Sequence, residues 1–327
     1  MANIATTQVA HALSVARDES IPRDDRITML VEIATDLQIR PESPDQLHDA
    51  VRLYDHALQL LDHEDTVTRG RLRARQGSAL HQIPSTNPKP LLKARAAFEE
   101  AVTLLTEAPE LERAENEMNR GLVIQALASI GEARMTDAIA AYHIALRTFT
   151  RGEYPVEFAI LHNNLATAYL SIPLTDSHQS MREALAVQSF EQALEVVDIV
   201  DHPNEYAMLQ NNLGNALQYA SSAHALANNL RAVQAYDQAL RVRTREAGPL
   251  PYANTIANKA NALRNLPDDP DQIHLGNPSN LASARALYLE AAEIFALHGA
   301  TDRAEYAAEI AAEIASELAS TSIEPRP

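Results

Sequence analysis

The sequence predicts an all-α fold: a solenoid of six helix–loop–helix repeats and a C-terminal capping helix, running as one body over residues 1–327. Three observations predict it. The first is a small–aromatic–small triplet that recurs six times in order, at Ala50/Tyr54/Ala57, Ala94/Phe98/Ala101, Ala138/Tyr142/Ala145, Ala186/Phe190/Ala193, Ala232/Tyr236/Ala239 and Ala284/Tyr288/Ala291. Its rings are 44, 44, 48, 46 and 52 residues apart. Positions i, i+4 and i+7 share a helix face, so each ring can pack between two alanines where a neighbouring helix comes close. The second is a related helical stretch ahead of each triplet. The third is proline placement: Pro41, Pro84, Pro173 and Pro267 close the leading helices, while Pro155 and Pro251 stand at helix starts, where a missing N–H costs little.

The leading helix of each repeat is called A and the triplet-bearing helix B. The first repeat, about 22–64, sets "EIATDLQIRP" (32–41) before Tyr54, and the second, 66–108, sets "RQGSALHQIP" (75–84) before Phe98. In the third, 111–151, "MNRGLVIQALASIGEAR" leaves the register of helix A open. The A helices of the last three repeats, 154–200, 204–246 and 250–299, align closely as "HNNLATAYLSIP" (162–173), "QNNLGNALQYA" (210–220) and "ANKANALRNLP" (257–267). Gly70, Gly77, Gly121 and Gly214 fall inside A helices, where they allow close helix approach. The segment 302–318 has no partner helix. Its stripe Tyr306, Ile310, Ile314 and Leu318 is expected to cover the open end of the array, with Glu305, Glu309, Glu313 and Glu317 facing water. The first 20 residues carry a weaker stripe, Ile4, Val9 and Leu13, suited to the other end.

Composition narrows the function. Hydrophobic residues are 46% and aromatics 5%, with no Trp and no Cys. Absence of cysteine removes disulfides, cysteine nucleophiles and thiolate metal sites. A net charge of −17 repels phosphate backbones, so nucleic acid is not an expected partner and a basic peptide fits better. The N-terminus lacks a cationic stretch followed by an apolar run, and no apolar run has membrane-spanning length. A cytoplasmic protein with no membrane partner is expected, with homo-oligomerisation left open.

The repeat resembles the tetratricopeptide repeat (TPR). Leu213, Gly214 and Leu217 match that family's helix A pattern, with Leu in place of its Tyr, and the six triplets match its helix B pattern. The period departs from it, 44–52 residues against the family's usual 34, with the excess mainly between helices A and B. Long-period arrays of this kind resemble those attached to caspase-like CHAT modules in large bacterial proteins. No such module is recognised here, and a chain acting alone or in trans is expected. The resemblance implies a right-handed superhelix whose A helices line a concave groove for a peptide or partner segment. It implies a non-enzymatic module, an adaptor, scaffold or assembly chaperone, that needs no cofactor.

The groove candidates follow from that geometry. Asn211, Asn215 and Asn261 are expected at the groove surface, with Asn163, Thr167, Asn254, Asn258, Lys259 and Arg75 beside them and Ser78 equivalent to Thr167. Asparagine costs helix propensity of roughly half a kcal/mol against alanine, but it offers donor and acceptor without charge and so can hold an extended backbone. A second reading stays open: Asn164, Asn212 and Asn258 occupy equivalent positions and can instead join neighbouring helices.

The ionisable clusters carry no catalytic signature. His56 and His63 are seven residues apart, a spacing that places them on one helix face as weak metal candidates, but no HExxH or paired ExxH pattern accompanies them. The acidic stretch "PDDPDQIH" (267–274) lacks the ligand order of a calcium loop and reads as a solvated loop. The competing expectation is an enzyme, or a receptor for a small ligand or peptide, that uses the interior of the superhelix as its pocket.

Overall fold

The computed structural model describes residues 4–172, 178–220 and 224–321. Among these residues the chain forms fourteen α-helices, one 3-10 turn and no strand, and it divides into two compact units, Met1–Glu153 and Tyr154–Pro327. Pro173 and the part of the repeat 4 loop at 173–177 lie outside the described residues, as does the side chain of Ile4.

The first unit contains α1 (Ile4–Val15), α2 (Arg23–Ile39), α3 (Pro44–Leu60), α4 (Thr66–Gln82), α5 (Lys89–Leu104), α6 (Glu110–Ser129) and α7 (Met135–Ala145). The second contains α8 (Pro155–Ser171), α9 (Gln179–Leu194), α10 (Pro203–Tyr219), α11 (Ala225–Leu240), α12 (Pro249–Arg264), a 3-10 turn (Ile273–Leu275), α13 (Pro278–Leu297) and α14 (Thr301–Thr321). Helices A and B of each repeat pack as pairs, α2 with α3, α4 with α5 and α6 with α7 in the first unit, α8 with α9, α10 with α11 and α12 with α13 in the second. Proline occupies the first turn of α3, α5, α8, α10, α12 and α13, where no helical bond is lost.

The triplets are the seam of every pair. All six rings and their flanking alanines are buried. A ring of this size removed from water contributes roughly 1.5–3 kcal/mol, so the six seams supply a large share of the core. What each ring meets on helix A explains the glycines. A Cβ placed on Gly77 would lie 2.9 Å from the Phe98 ring, and on Gly121 or Gly214 only 2.5 Å from Tyr142 or Tyr236. The corresponding places opposite Phe190 and Tyr288 hold Ala166 and Ala260, both fully buried. The Tyr rings carry their hydroxyls through to the far side of helix A: Tyr54 donates to Gln38 Oε1 (3.0 Å) and Tyr142 to Gln125 Oε1 (2.7 Å).

Both ends of the chain add a helix. From α1, Val9 and Ala12, with Ala16 just after its end, join the core of α2 and α3. At the other end, α14 packs against α13, but its seam is Ala307, Ala311 and Ile314, with Ile310 and Leu318 at the flank. Tyr306, expected in the buried stripe, is instead 62% exposed. Alanines let α14 approach α13 closely, which turns the larger ring out of the seam.

The acidic loop after α12 has a structural task. The Asp268 carboxylate accepts the backbone N–H groups of Ser279 (2.8 Å) and Asn280 (2.7 Å) at the start of α13. Burial pushes its pKa up, but these two donors outweigh that and hold it below the usual carboxylate range. No helix among the described residues is long and apolar enough to cross a membrane.

Candidate functional site

Three of the sequence candidates converge in the second unit. Asn254, Asn258 and Asn261 lie on α12 and line an open cavity of about 290 Å³. Tyr219 at the end of α10, Tyr288 of α13, and Arg303 and Tyr306 of α14 complete its wall. Helix periodicity brings the three asparagines together, since positions i, i+4 and i+7 share a face. Sequence reasoning missed the aromatic part. Tyr219 was visible only as the last residue of an A helix, and Tyr306 as a member of an apolar stripe.

A ladder of side-chain bonds joins α10, α12 and α14 beside this cavity. Asn258 Nδ2 donates to Asn211 Oδ1 (3.3 Å), and Asn261 Nδ2 donates to the Tyr219 hydroxyl (3.3 Å). Arg303 donates to Asn254 Oδ1 (3.2 Å), and its guanidinium lies 5.9 Å from the centre of the Phe295 ring. Arg264 pairs with Glu313 (3.1 Å) and Glu317 (3.7 Å). Asn211, expected at the groove surface, is buried between α10 and α12. The reason is that an A helix is covered by its own B helix and also by the next A helix, so the face opposite its leucines is a second interface.

The remaining candidates are dispersed. Asn215 accepts the Tyr236 hydroxyl (2.7 Å), so its Oδ1 serves the seam of its own repeat. Burial pushes the Tyr236 hydroxyl up, which keeps it protonated as the donor. Lys259 pairs with Asp237 of α11 (2.5 Å). On α8, Asn163 lies 3.4 Å from Asn164, and the Thr167 hydroxyl bonds back to the carbonyls of Asn163 (3.1 Å) and Asn164 (2.9 Å). Asn163 borders a separate, largely apolar cavity of about 310 Å³ with Val156, Ile160, Val197 and Met208.

Arg75 belongs to the first unit. It is exposed on α4 and, with Ser78, Arg71, Glu112, Glu115 and Asn119, lines a cavity of about 330 Å³. There Arg71 makes a two-pronged pair with Glu112 (2.7 and 2.9 Å), and its hydrogen bonds hold the Glu112 carboxyl below the usual range.

The proposed histidine pair does not share a helix. α3 ends at Leu60, so His56 is helical and His63 lies in the turn before α4. No group of three or more His, Asp or Glu side chains spaced to hold a metal occurs among the described residues. The second-unit cavity therefore presents amides, phenols, one guanidinium and the carboxylate of Asp302, groups suited to recognition by hydrogen bonding and stacking.

No family model matches the chain, and no curated protein matches it. Solved structures do. The apo form of RapI is 14% identical, matched over 97% of this chain and 99% of its own, with a TM-score of 0.50. A Rap protein complexed with competence and sporulation factor matches more loosely, at 14% identity over 97% and 98% with a TM-score of 0.39. A signal transduction ATPase with a tetratricopeptide repeat sensor from Pyrococcus horikoshii matches at 12% identity, over 89% of this chain and 43% of its own, with a TM-score of 0.46. At such identities the likeness to RapI shows the fold alone. Together with the seams described above, it supports a TPR-like helical-repeat fold for this chain.

Proposed function

We propose that this chain is a non-enzymatic interaction module, an adaptor or scaffold, that holds an extended protein segment along the A helices of its second unit. The observation that supports this reading is the cavity of about 290 Å³ in which Asn254, Asn258 and Asn261 line one wall and Tyr219 and Tyr306 stand exposed beside them. An extended backbone needs donors and acceptors in alternation. Amide side chains supply both, while phenol rings supply apolar area at little entropic cost. Asn211, Asn215 and Lys259 act from behind, holding the helices in register. Arg75 and Asn163 belong to other surfaces of the same module.

The test is to select random linear peptides against the full chain by phage display and titrate a recovered peptide against an Asn258→Ala/Asn261→Ala variant that still unfolds cooperatively in urea and is fully folded at the assay condition. A loss of tenfold or more supports the reading; unchanged affinity removes it.

A second reading, a receptor for a small apolar ligand, is favoured by the cavity beside Ile160 and Met208, whose volume of about 310 Å³ lies in the usual range for ligand sites. Its test is a calorimetric screen of small apolar compounds, in which a stoichiometric binder lost on Ile160→Asp would put this reading first.

A further inference from the structure

We propose that the second-unit cavity is a subsite for a cationic side chain, lysine or arginine, of the segment held along α12 and α14. This rests on the groove reading above and adds the chemistry of its occupant.

The first ground is the aromatic wall. Tyr219 is 68% exposed and Tyr306 62% exposed, so both rings are available to a partner. Their phenols lie near that of Tyr288, whose own hydroxyl is pushed up by burial first and by Tyr306 and Tyr219 next. Two exposed phenol rings from two helices thus border one opening, whose wall the buried Tyr288 completes. Ring faces attract ammonium and guanidinium groups that approach within about 6 Å of the centroid.

The second ground is that this lining already seats a guanidinium. Arg303 lies over the Phe295 ring and donates to the Asn254 amide oxygen. A ring face with an amide oxygen beside it is the combination that a second cation would meet at Tyr306, Tyr219 and Asn258.

The third ground is charge. The second unit holds ten basic residues against twenty-one acidic ones. On α14, Arg303 stands alone against Asp302, Glu305, Glu309, Glu313 and Glu317. The neighbouring cations are matched, Arg264 by Glu313 and Glu317 and Lys259 by Asp237. Asp302, in the cavity wall, makes no ion pair among the described residues, and neither do Glu305 and Glu309. An incoming cation therefore finds a free carboxylate, and an incoming anion finds a repelling field.

The arrangement separates a cation site from an anion clamp by the sign of one mutation. Arg303 repels a cationic occupant and would anchor an anionic one. The experiment selects random linear peptides against the full chain, then titrates a recovered peptide against variants shown by urea unfolding to be fully folded at the assay condition. The expected result is a lysine or arginine at a constant peptide position, with affinity falling about 3- to 30-fold when it becomes norleucine or citrulline. Tyr306→Ala and Asp302→Asn lower affinity, Tyr306→Phe retains it, and Arg303→Ala leaves it equal or higher. Peptides without a conserved cation, yet lost on Asn258→Ala/Asn261→Ala, overturn the subsite and leave the groove reading standing. Loss of binding on Arg303→Ala also overturns the subsite, in favour of an anion clamp. Recovery of no peptide, or of peptides indifferent to both the asparagine and Tyr306 variants, overturns subsite and groove together.

Discussion

The two units share one seam and differ in the surfaces of their A helices. In the first, Phe98 meets Gly77 and Tyr142 meets Gly121; in the second, Tyr236 meets Gly214. On the exposed side the likeness stops. The cavity of the first unit is charged, with Arg71 bound to Glu112 beside Arg75 and Glu115. That of the second is lined mainly by asparagine and tyrosine, with Asp302 and Arg303 at one side. The seam is constrained by sterics, because a ring fits only where helix A carries a residue no larger than alanine. The groove carries no such constraint. A partner is therefore best sought where the units diverge, and the second unit's groove adds two exposed phenol rings to its amides.

The largest expected effects fall on the shared seam. Tyr236→Ala in the second unit and Tyr142→Ala in the first should each cost about 3–5 kcal/mol of unfolding free energy in urea. A cost below 1 kcal/mol in either would break the claim that both units use the same seam. Gly214→Ala should destabilise by about 1–3 kcal/mol through overpacking against Tyr236. Were the ring free to move, the same change would stabilise the helix by about 1 kcal/mol, so the sign of the shift decides.

Smaller effects separate hydroxyl from ring. Tyr236→Phe removes the bond to Asn215 and should cost about 1 kcal/mol. In the second unit's ladder, a double-mutant cycle of Asn211→Ala with Asn258→Ala should show a coupling of about 0.5–1 kcal/mol; zero coupling would mean that the pair does not join α10 to α12.

The smallest effect belongs to the first unit's exposed Arg71–Glu112 pair, worth under about 1 kcal/mol. Since Glu112 is held below its ordinary pKa, its contribution is present above the unfolded carboxylate pKa and is lost as pH falls through the lower folded one. Glu112→Gln should therefore lower stability at neutral pH and converge with wild type in acid.

The helix B half of the fold is plain in the sequence because its signal is local: three residues of one helix state the whole packing rule. The A helices are harder, since each faces two neighbours and a single helical wheel cannot tell which. Asn211 shows this, standing opposite the leucines of α10 and still buried. The register of α6 could have been found, because Gly121 lies 44 residues after Gly77 and each lies 21 before its ring. Of the site, the asparagines of α12 share a face by periodicity alone. Tyr219, Tyr306 and Arg303 come from other helices, and Tyr306 is turned outward because the smaller Ala307 takes the seam.

The central claim is that the amide and phenol groove of the second unit, rather than the charged groove of the first, carries recognition. Its most direct test places an aromatic photo-crosslinking residue at position 306, where a phenyl ring is expected to keep binding, in one preparation and at position 75 in another, each exposed to the same selected peptide. The account predicts a crosslink from position 306 and none from position 75. Crosslinking from position 75 alone would contradict it and move the site to the first unit.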